Sequence, residues 1–361
     1  MTGQVNGRRP RVAVVLLNMG GPDRLSAVRP FLYNLFSDPA IFRLPRVVRW
    51  LAARIVSSRR ARTAREIYAK MGGGSPILKI TEAQARALQA ALSNDLDARV
   101  FIAMRYWHPM SRETVKEVLK FAPDEVVLLP LYPQYSTTTS ASSLADWRTS
   151  ADRLGLRAPT RAICCYPAEP SFVASVAGLV RDGIEKTRRS SPDVRVLFSA
   201  HGLPERVIEA GDPYQWQVEQ GAAAVARELE EPDLDWVVCY QSRVGPLVWI
   251  GPSTEEEIDR AGRENKALVV VPIAFVSEHS ETLVELDIDY RDRAAEAGVP
   301  VYIRVPTVGT DPCFIASLAT LVGKARSQAG PCRQGGDRRC PCEFGGCALH
   351  DGESPLQEIQ A

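Results

Sequence analysis

"VLFSAHGLP", Val196–Pro204, is a short apolar run that ends in a histidine and a Gly-Leu-Pro turn. An apolar run of this length without alternation predicts a strand buried on both faces, as in a parallel sheet. "VVLLNMGGP", Val14–Pro22, has the same form: an apolar run, then a polar turn. Each is followed later by a second apolar run that empties into hydroxyls or acids. These are "VVLLPLYPQYSTTTSASS" (126–143) and "VVVPIAFVSEHSE" (269–281). The chain therefore reads as two similar halves.

Working outward, strands are expected at Val12–Leu17, Arg99–Met104, Glu125–Pro130, Ala162–Cys165, Arg195–Ser199, Trp236–Tyr240, Ala267–Ile273 and Val301–Arg304. Amphipathic stretches such as Thr81–Leu92 and Ser171–Thr187 lie between them. Strands alternating with helices predict α/β architecture with two Rossmann-like doubly wound domains. We place these at residues 11–160 and 161–329, with 1–10 a disordered N-terminus and 330–361 a Cys-rich tail. Ligands of such folds bind outside the carboxyl ends of the strands, so the polar turns should line one cleft. Residues 30–71 interrupt the pattern. They are rich in Phe, Leu, Ile, Trp and Arg, and are expected to form a helical apolar lip that takes up a greasy ligand and rests on anionic lipid.

The 361 residues are 45% hydrophobic and 24% charged, the profile of a soluble globular protein, and a formal charge of +1 gives no global field for nucleic acid. "MTGQVNGRRPR" lacks the apolar core of a secretory signal, so a cytoplasmic protein is expected, in peripheral contact with the inner face of the membrane. Asn18–Pro22 has paired glycines but neither GxGxxG nor a following Lys-Ser/Thr, which excludes a nucleotide-binding loop.

Beyond Val276 the chain turns abruptly polar: Ser277, Glu278, His279, Ser280, Glu281, then Glu285 and Asp289. Glu281, Glu285 and Asp289 fall in a row on a helix, and like charges so placed destabilise an ordinary one. Oxygen ligands leading inward to His279 suit passage of a divalent cation, and a wider π-type turn would gather more of them on one face. His201, at a strand end, is the candidate proton acceptor.

Eight cysteines are unevenly spread. Cys239 and Cys313 read as ordinary buried thiols. Cys164 and Cys165 are adjacent. Cys332, Cys340, Cys342 and Cys347 give C-x7-C-x-C-x4-C, which fits zinc knuckles poorly; four thiolates can also hold a [2Fe–2S] cluster, and an internal cysteine can supply one of them.

Taken in order, "LLNMGGP", "MGGGSPI", "RYWHP", "LPLYPQYS", "LFSAHGLP", "GDPY", "QSRVGPLVWIGP" and "VPIAFVSEHSETLVELDIDY" resemble the ferrochelatase family. The resemblance implies two chelatase-type domains and insertion of Fe2+ into protoporphyrin IX with release of two pyrrole protons. It makes His201 and Glu281 the catalytic base and carboxylate, paired across the cleft and contacting the substrate iron. It makes Met19, Arg105, Tyr106, Trp249, Glu278, His279, Glu285 and Asp289 substrate-binding. Where animal enzymes carry a basic pair at the lip, this chain has Ala69 and Lys70. For the [2Fe–2S]-containing bacterial type the implied ligands are Cys165, Cys332, Cys340 and Cys342, with Cys164 and Cys347 as substitutes. The rival readings are a chelatase for another divalent metal, a non-catalytic porphyrin or haem carrier, and an iron–sulfur redox sensor.

Overall fold

The computed structural model describes residues 9–93, 96–327, 340–341 and 343–348. Two parallel four-stranded sheets form the frame. In the first, β1 (Arg11–Asn18) lies between β2 (Asp97–Met104) and β3 (Glu125–Pro130), and β4 (Thr160–Ala162) closes the edge beside β3. In the second, β5 (Val194–His201) lies between β6 (Asp235–Gln241) and β7 (Ala267–Pro272), with β8 (Tyr302–Arg304) outermost. Both sheets thus share one strand order, and the duplicated sequence pattern is duplicated topology. Val12 to Leu17 and Ala267 to Pro272 are buried throughout, as parallel strands covered on both faces must be. The expected strand at Ala162–Cys165 lies earlier. Pairing with β3 ends at Ala162, and the change of sheet follows it, two residues beyond the expected boundary at 160/161.

The lip consists of α1 (Val28–Ser37) and α2 (Arg46–Lys70). Val28, Phe31, Leu32, Phe36, Ala53 and Tyr68 make a small core of their own, with Tyr106, Trp107 and part of Met19. The far side of α2 stays bare: Val47, Val48, Trp50, Leu51 and Ile55 are exposed. No helix among the described residues is long and apolar enough to cross a membrane.

Two devices join the halves. The largest core cluster runs through both, from Val12, Leu16 and Leu88 to Phe198, Val271 and Phe314. The last helix, α11 (Pro312–Ser327), returns to pack against α3 (Ile77–Leu92) and α6 (Pro170–Arg188), and its Arg326 pairs with Glu125 of β3. Buried polar clasps complete the seam. Gln84 of α3 donates to the carbonyls of Val276 (2.8 Å) and Gly309 (2.9 Å) and accepts from Ser277 Oγ (3.1 Å). Asp212 accepts from Ser136 Oγ (2.9 Å), Thr137 N (2.7 Å) and Thr137 Oγ1 (2.6 Å) across the same seam.

Gln84→Leu keeps the volume but strands two carbonyls and a hydroxyl away from water. Such groups cost roughly 1–3 kcal/mol each when unpaired. Urea denaturation should show a loss of at least ~2 kcal/mol; a loss below ~0.5 kcal/mol would mean the clasp is decorative.

Candidate active site

The polar residues foreseen at strand ends do stand there. Asn18 pairs in register with Met104 at the carboxyl end of the first sheet, and His201 with Gln241 at that of the second. β7 empties through Ser277–Ser280 into a nine-residue π-helix, Glu281–Asp289, closed by a bond from the Tyr290 N–H to the Glu285 carbonyl. That i→i+5 bond is the wider turn the acidic row calls for. Along it, exposure rises from the Glu281 side chain (21%) to Asp289 (51%), an inward gradient of carboxylates.

Glu281 is the inner end. Its Oε2 lies 3.0 Å from His201 Nδ1 and 3.8 Å from His279 Nε2. The expectation of a base and carboxylate facing each other across the cleft is therefore corrected. β5 and β7 are neighbours in one sheet, so their carboxyl-end extensions put both groups on the same wall and in contact. Burial alone would raise the Glu281 pKa. The charge and hydrogen bond of His201, with those of His279, outweigh it and hold the carboxyl below the carboxylate range. For His201, burial lowers the pKa, but the charge and hydrogen bond of Glu281, and the charge of Glu285, raise it overall. With Nδ1–H donated to Glu281, Nε2 carries the lone pair, and it has no hydrogen-bond partner among the described residues. His279 is buried, its Nδ1 donates to the Ser277 carbonyl at 3.2 Å, and its Nε2 faces Glu281.

Glu285 is a filled carboxylate. Oε1 accepts from Ser242 N (2.8 Å) and Tyr290 OH (3.0 Å); Oε2 accepts from Ser242 Oγ (2.5 Å) and, at 3.5 Å, from Gln241 Nε2. Ser242 adopts φ +61°, a left-handed conformation unusual for a residue with a side chain, to deliver both donors. Burial and then the Glu281 charge still raise the Glu285 pKa. Asp289 bonds Lys70 Nζ of the lip (3.2 Å). Glu278 stands apart from the row: it pairs with buried Arg304 (2.7 Å) and accepts from Thr307 N (2.9 Å).

On the opposite domain, Arg105 and Tyr106 are brought together but committed to a partner. Both bond Asp38 Oδ2 at 2.8 Å, and Ser142 Oγ joins the same oxygen. Asp38 was absent from the sequence expectations; nothing local marks it beyond a Ser-Asp-Pro turn after a Phe-rich helix. Trp249 is half-buried and lies against the Gly202 turn, next to His201.

A second cluster of chemistry lies at the seam. Cys164, Cys165, Cys340 and Cys347 are all buried. Hydrogen bonding to Cys165 and Cys347, then burial, pushes the Cys164 thiol well up. Hydrogen bonding to Cys347 and burial do the same to Cys340. Cys347, expected as a substitute, lies within hydrogen-bonding reach of Cys164 and Cys340, while Cys332 and Cys342 lie outside the described residues. Among the described residues no three His, Cys, Asp or Glu side chains are arranged to hold a metal ion. Cys239 is buried as expected, but Cys313, at the start of α11, is exposed.

A sequence profile described as ferrochelatase matches residues 11–326. A ferrochelatase of Phenylobacterium zucineum is 54% identical, covering 95% of this chain and 99% of its own. One from Caulobacter vibrioides is 53% identical over 94% and 99%, and one from Rickettsia bellii 43% over 98% and 99%. Among solved structures, SirB from Bacillus subtilis with Fe3+ superposes with a TM-score of 0.51 at 12% identity, covering 87% of this chain and 95% of that one; this likeness concerns the fold alone.

Because its pKa is raised, the stability His201 contributes is complete below the ordinary 6.5 and lost as pH rises through the raised value. Glu281, depressed, contributes above the ordinary 4.5 and loses its share as pH falls through the lowered value. Glu281→Gln removes the charge and leaves burial opposed only by the Glu285 charge, the smallest of the raising causes. Proton NMR titration should find His201 above 6.5 in the native protein and below it in the variant. An unmoved titration would contradict the pairing.

Proposed function

The chain belongs to the ferrochelatase family, and on that premise we propose how its cleft inserts Fe2+ into protoporphyrin IX to give protohaem. The insertion itself, a step of haem synthesis, is the activity of this porphyrin metal chelatase. The observation that carries the mechanism is the His201–Glu281 contact at the inner end of the π-helix.

Metallation requires two pyrrole N–H protons to leave as Fe2+ arrives. His201 Nε2 takes a pyrrole proton as general base. Glu281 holds the ring by Nδ1 and stabilises the imidazolium that forms, which is why the histidine's raised proton affinity helps the step. Fe2+ travels the acidic row from Asp289 past Glu285 to Glu281, carboxylates suiting a hard cation. At Glu285 it must displace Ser242 and Tyr290; at Asp289 it must displace Lys70. At the inner end, His201 Nε2 and Glu281 first hold the iron; the pyrrole nitrogens then replace Nε2, which frees its lone pair for one proton, and the second proton passes to solvent. Met19 and Trp249 furnish apolar wall for the macrocycle. Its large buried surface offsets distortion of the ring, which exposes the nitrogen lone pairs. Arg105 and Tyr106, fastened to Asp38, stiffen the facing wall. Glu278, bound to Arg304, anchors the start of the π-helix. A passive carrier has no use for a carboxylate-oriented imidazole, which favours catalysis over that rival.

We assign the seam thiols to a [2Fe–2S] cluster. Buried soft donors from two distant segments suit it, and the ligand set is Cys165, Cys332, Cys340 and Cys342, with Cys164 and Cys347, which lie beside Cys165 and Cys340, as substitutes. When bound, the cluster supplies one-electron chemistry and a covalent tie between tail and body. We further assign α2 to a membrane surface at the cytoplasmic face, with bare Val47, Trp50 and Leu51 beside Arg46, Arg49 and Arg54.

His201→Ala and Glu281→Ala should each cut Fe2+ insertion by ~10²–10⁴-fold in an anaerobic assay, with porphyrin binding retained. Near-normal turnover in either would sink the mechanism. Sedimentation with anionic liposomes should weaken as salt rises, because the basic component is screened. No binding at any salt would leave the lip as a substrate gate only.

A further inference from the structure

Gln217 is wholly buried in α8 (Tyr214–Glu228), where no solvent can satisfy its amide. Its Oε1 accepts from the Tyr135 N–H at 2.8 Å, and its Nε2 points at Cys340 Sγ at 3.2 Å. The first bond fixes the second. A backbone N–H can only donate, so the atom facing it must be oxygen, and the amide N–H must face the sulfur. The surroundings hold this arrangement. Gly346 N donates to the Gly211 carbonyl at 3.0 Å, and Gly211, at φ +90°, has no room for a Cβ against Gly345 N, 2.8 Å away. Phe344 lies tilted against Trp216, ring centres 6.1 Å apart, and Ala348 packs into the first domain's core beside Cys164 and Cys165. The tail is docked across the seam, with one amide spanning tail, first domain and α8.

A neutral thiol is a poor acceptor, and an amide is an expensive group to bury for its sake. A thiolate on iron makes the same N–H a charge-assisted donor. We propose that Gln217 donates an N–H···S hydrogen bond to the Cys340 thiolate that raises the reduction potential of the cluster, while its oxygen ties that thiolate to Tyr135 at the domain seam. The inference rests on the cluster reading above. Hydrogen bonds to cluster sulfurs withdraw electron density and so favour the reduced, more negative state. The step concerned is uptake of one electron by the oxidised cluster, delivered in the test by a low-potential chemical reductant.

The experiment is a redox titration, followed by the visible and EPR signals, of the full chain purified anaerobically. The variants are Gln217→Leu, which removes the donor, and Gln217→Glu, which keeps the acceptor for Tyr135. Both should move the one-electron equilibrium at least tenfold toward the oxidised state, a lower midpoint by ~59 mV. Because either variant can fail to assemble, the wild type is also prepared with 15N only in glutamine side chains. Pulsed EPR of its reduced cluster should show a 15N coupling. A coloured wild type without that coupling, or assembled variants with an unshifted midpoint, overturns the proposal and leaves the cluster reading intact. A colourless wild type overturns both.

Discussion

A carboxylate taken out of water survives as an ion only where hydrogen-bond donors or cations face it, and Glu281 has the Nδ1–H of His201. The contact sets strict demands on the fold. It needs β5 and β7 adjacent and parallel, so that both emerge at the same edge of the sheet. It needs the chain after β7 to turn back at once, so that the first residue of the next helix reaches the end of β5. It also needs a helix wide enough to carry Glu285 and Asp289 in line behind Glu281. Parallel order in the second sheet and the nine-residue π-helix meet these conditions.

The same geometry makes the acidic row unequal. Glu281 is held ionised by its histidines, Glu285 is drawn toward the neutral form by burial and by Glu281, and Asp289 is shared with Lys70 in the open. Along the row exposure falls inward, and each carboxylate is engaged by a different partner. Lys70 also marks where the lip meets the second domain. There it is engaged by an acid, Asp289, at 3.2 Å.

What was legible in the sequence follows from local physics. Strands whose every position is buried announce themselves as unbroken apolar runs, and Val12–Leu17 and Glu125–Pro130 fall on β1 and β3 within one residue. The clash of three stacked carboxylates foretold a helix of other than ordinary pitch. The duplicated strand-and-turn pattern foretold two sheets of one topology. The misses share a cause. Asp38, Gln84, Asp212 and Gln217 find their partners 68, 192, 76 and 123 residues away, and separation of that kind leaves no periodicity. Likewise nothing in "CCYP" shows that β4 ends at Ala162, because its length depends on where β3 stops pairing. The placing of His201 and Glu281 on opposite walls erred for the same reason: sequence reveals strand ends but not which strands are neighbours.

The claim that His201 and Glu281 act as one catalytic unit is tested most directly by a double-mutant cycle on kcat/KM for Fe2+ insertion, using His201→Ala, Glu281→Gln and the double variant. If the carboxylate works through the imidazole it orients, the double variant should be no slower than the worse single, because removing either already dismantles the unit. Losses that multiply in the double variant would mean that the two groups serve separate steps, and that their 3.0 Å contact is incidental to the chemistry.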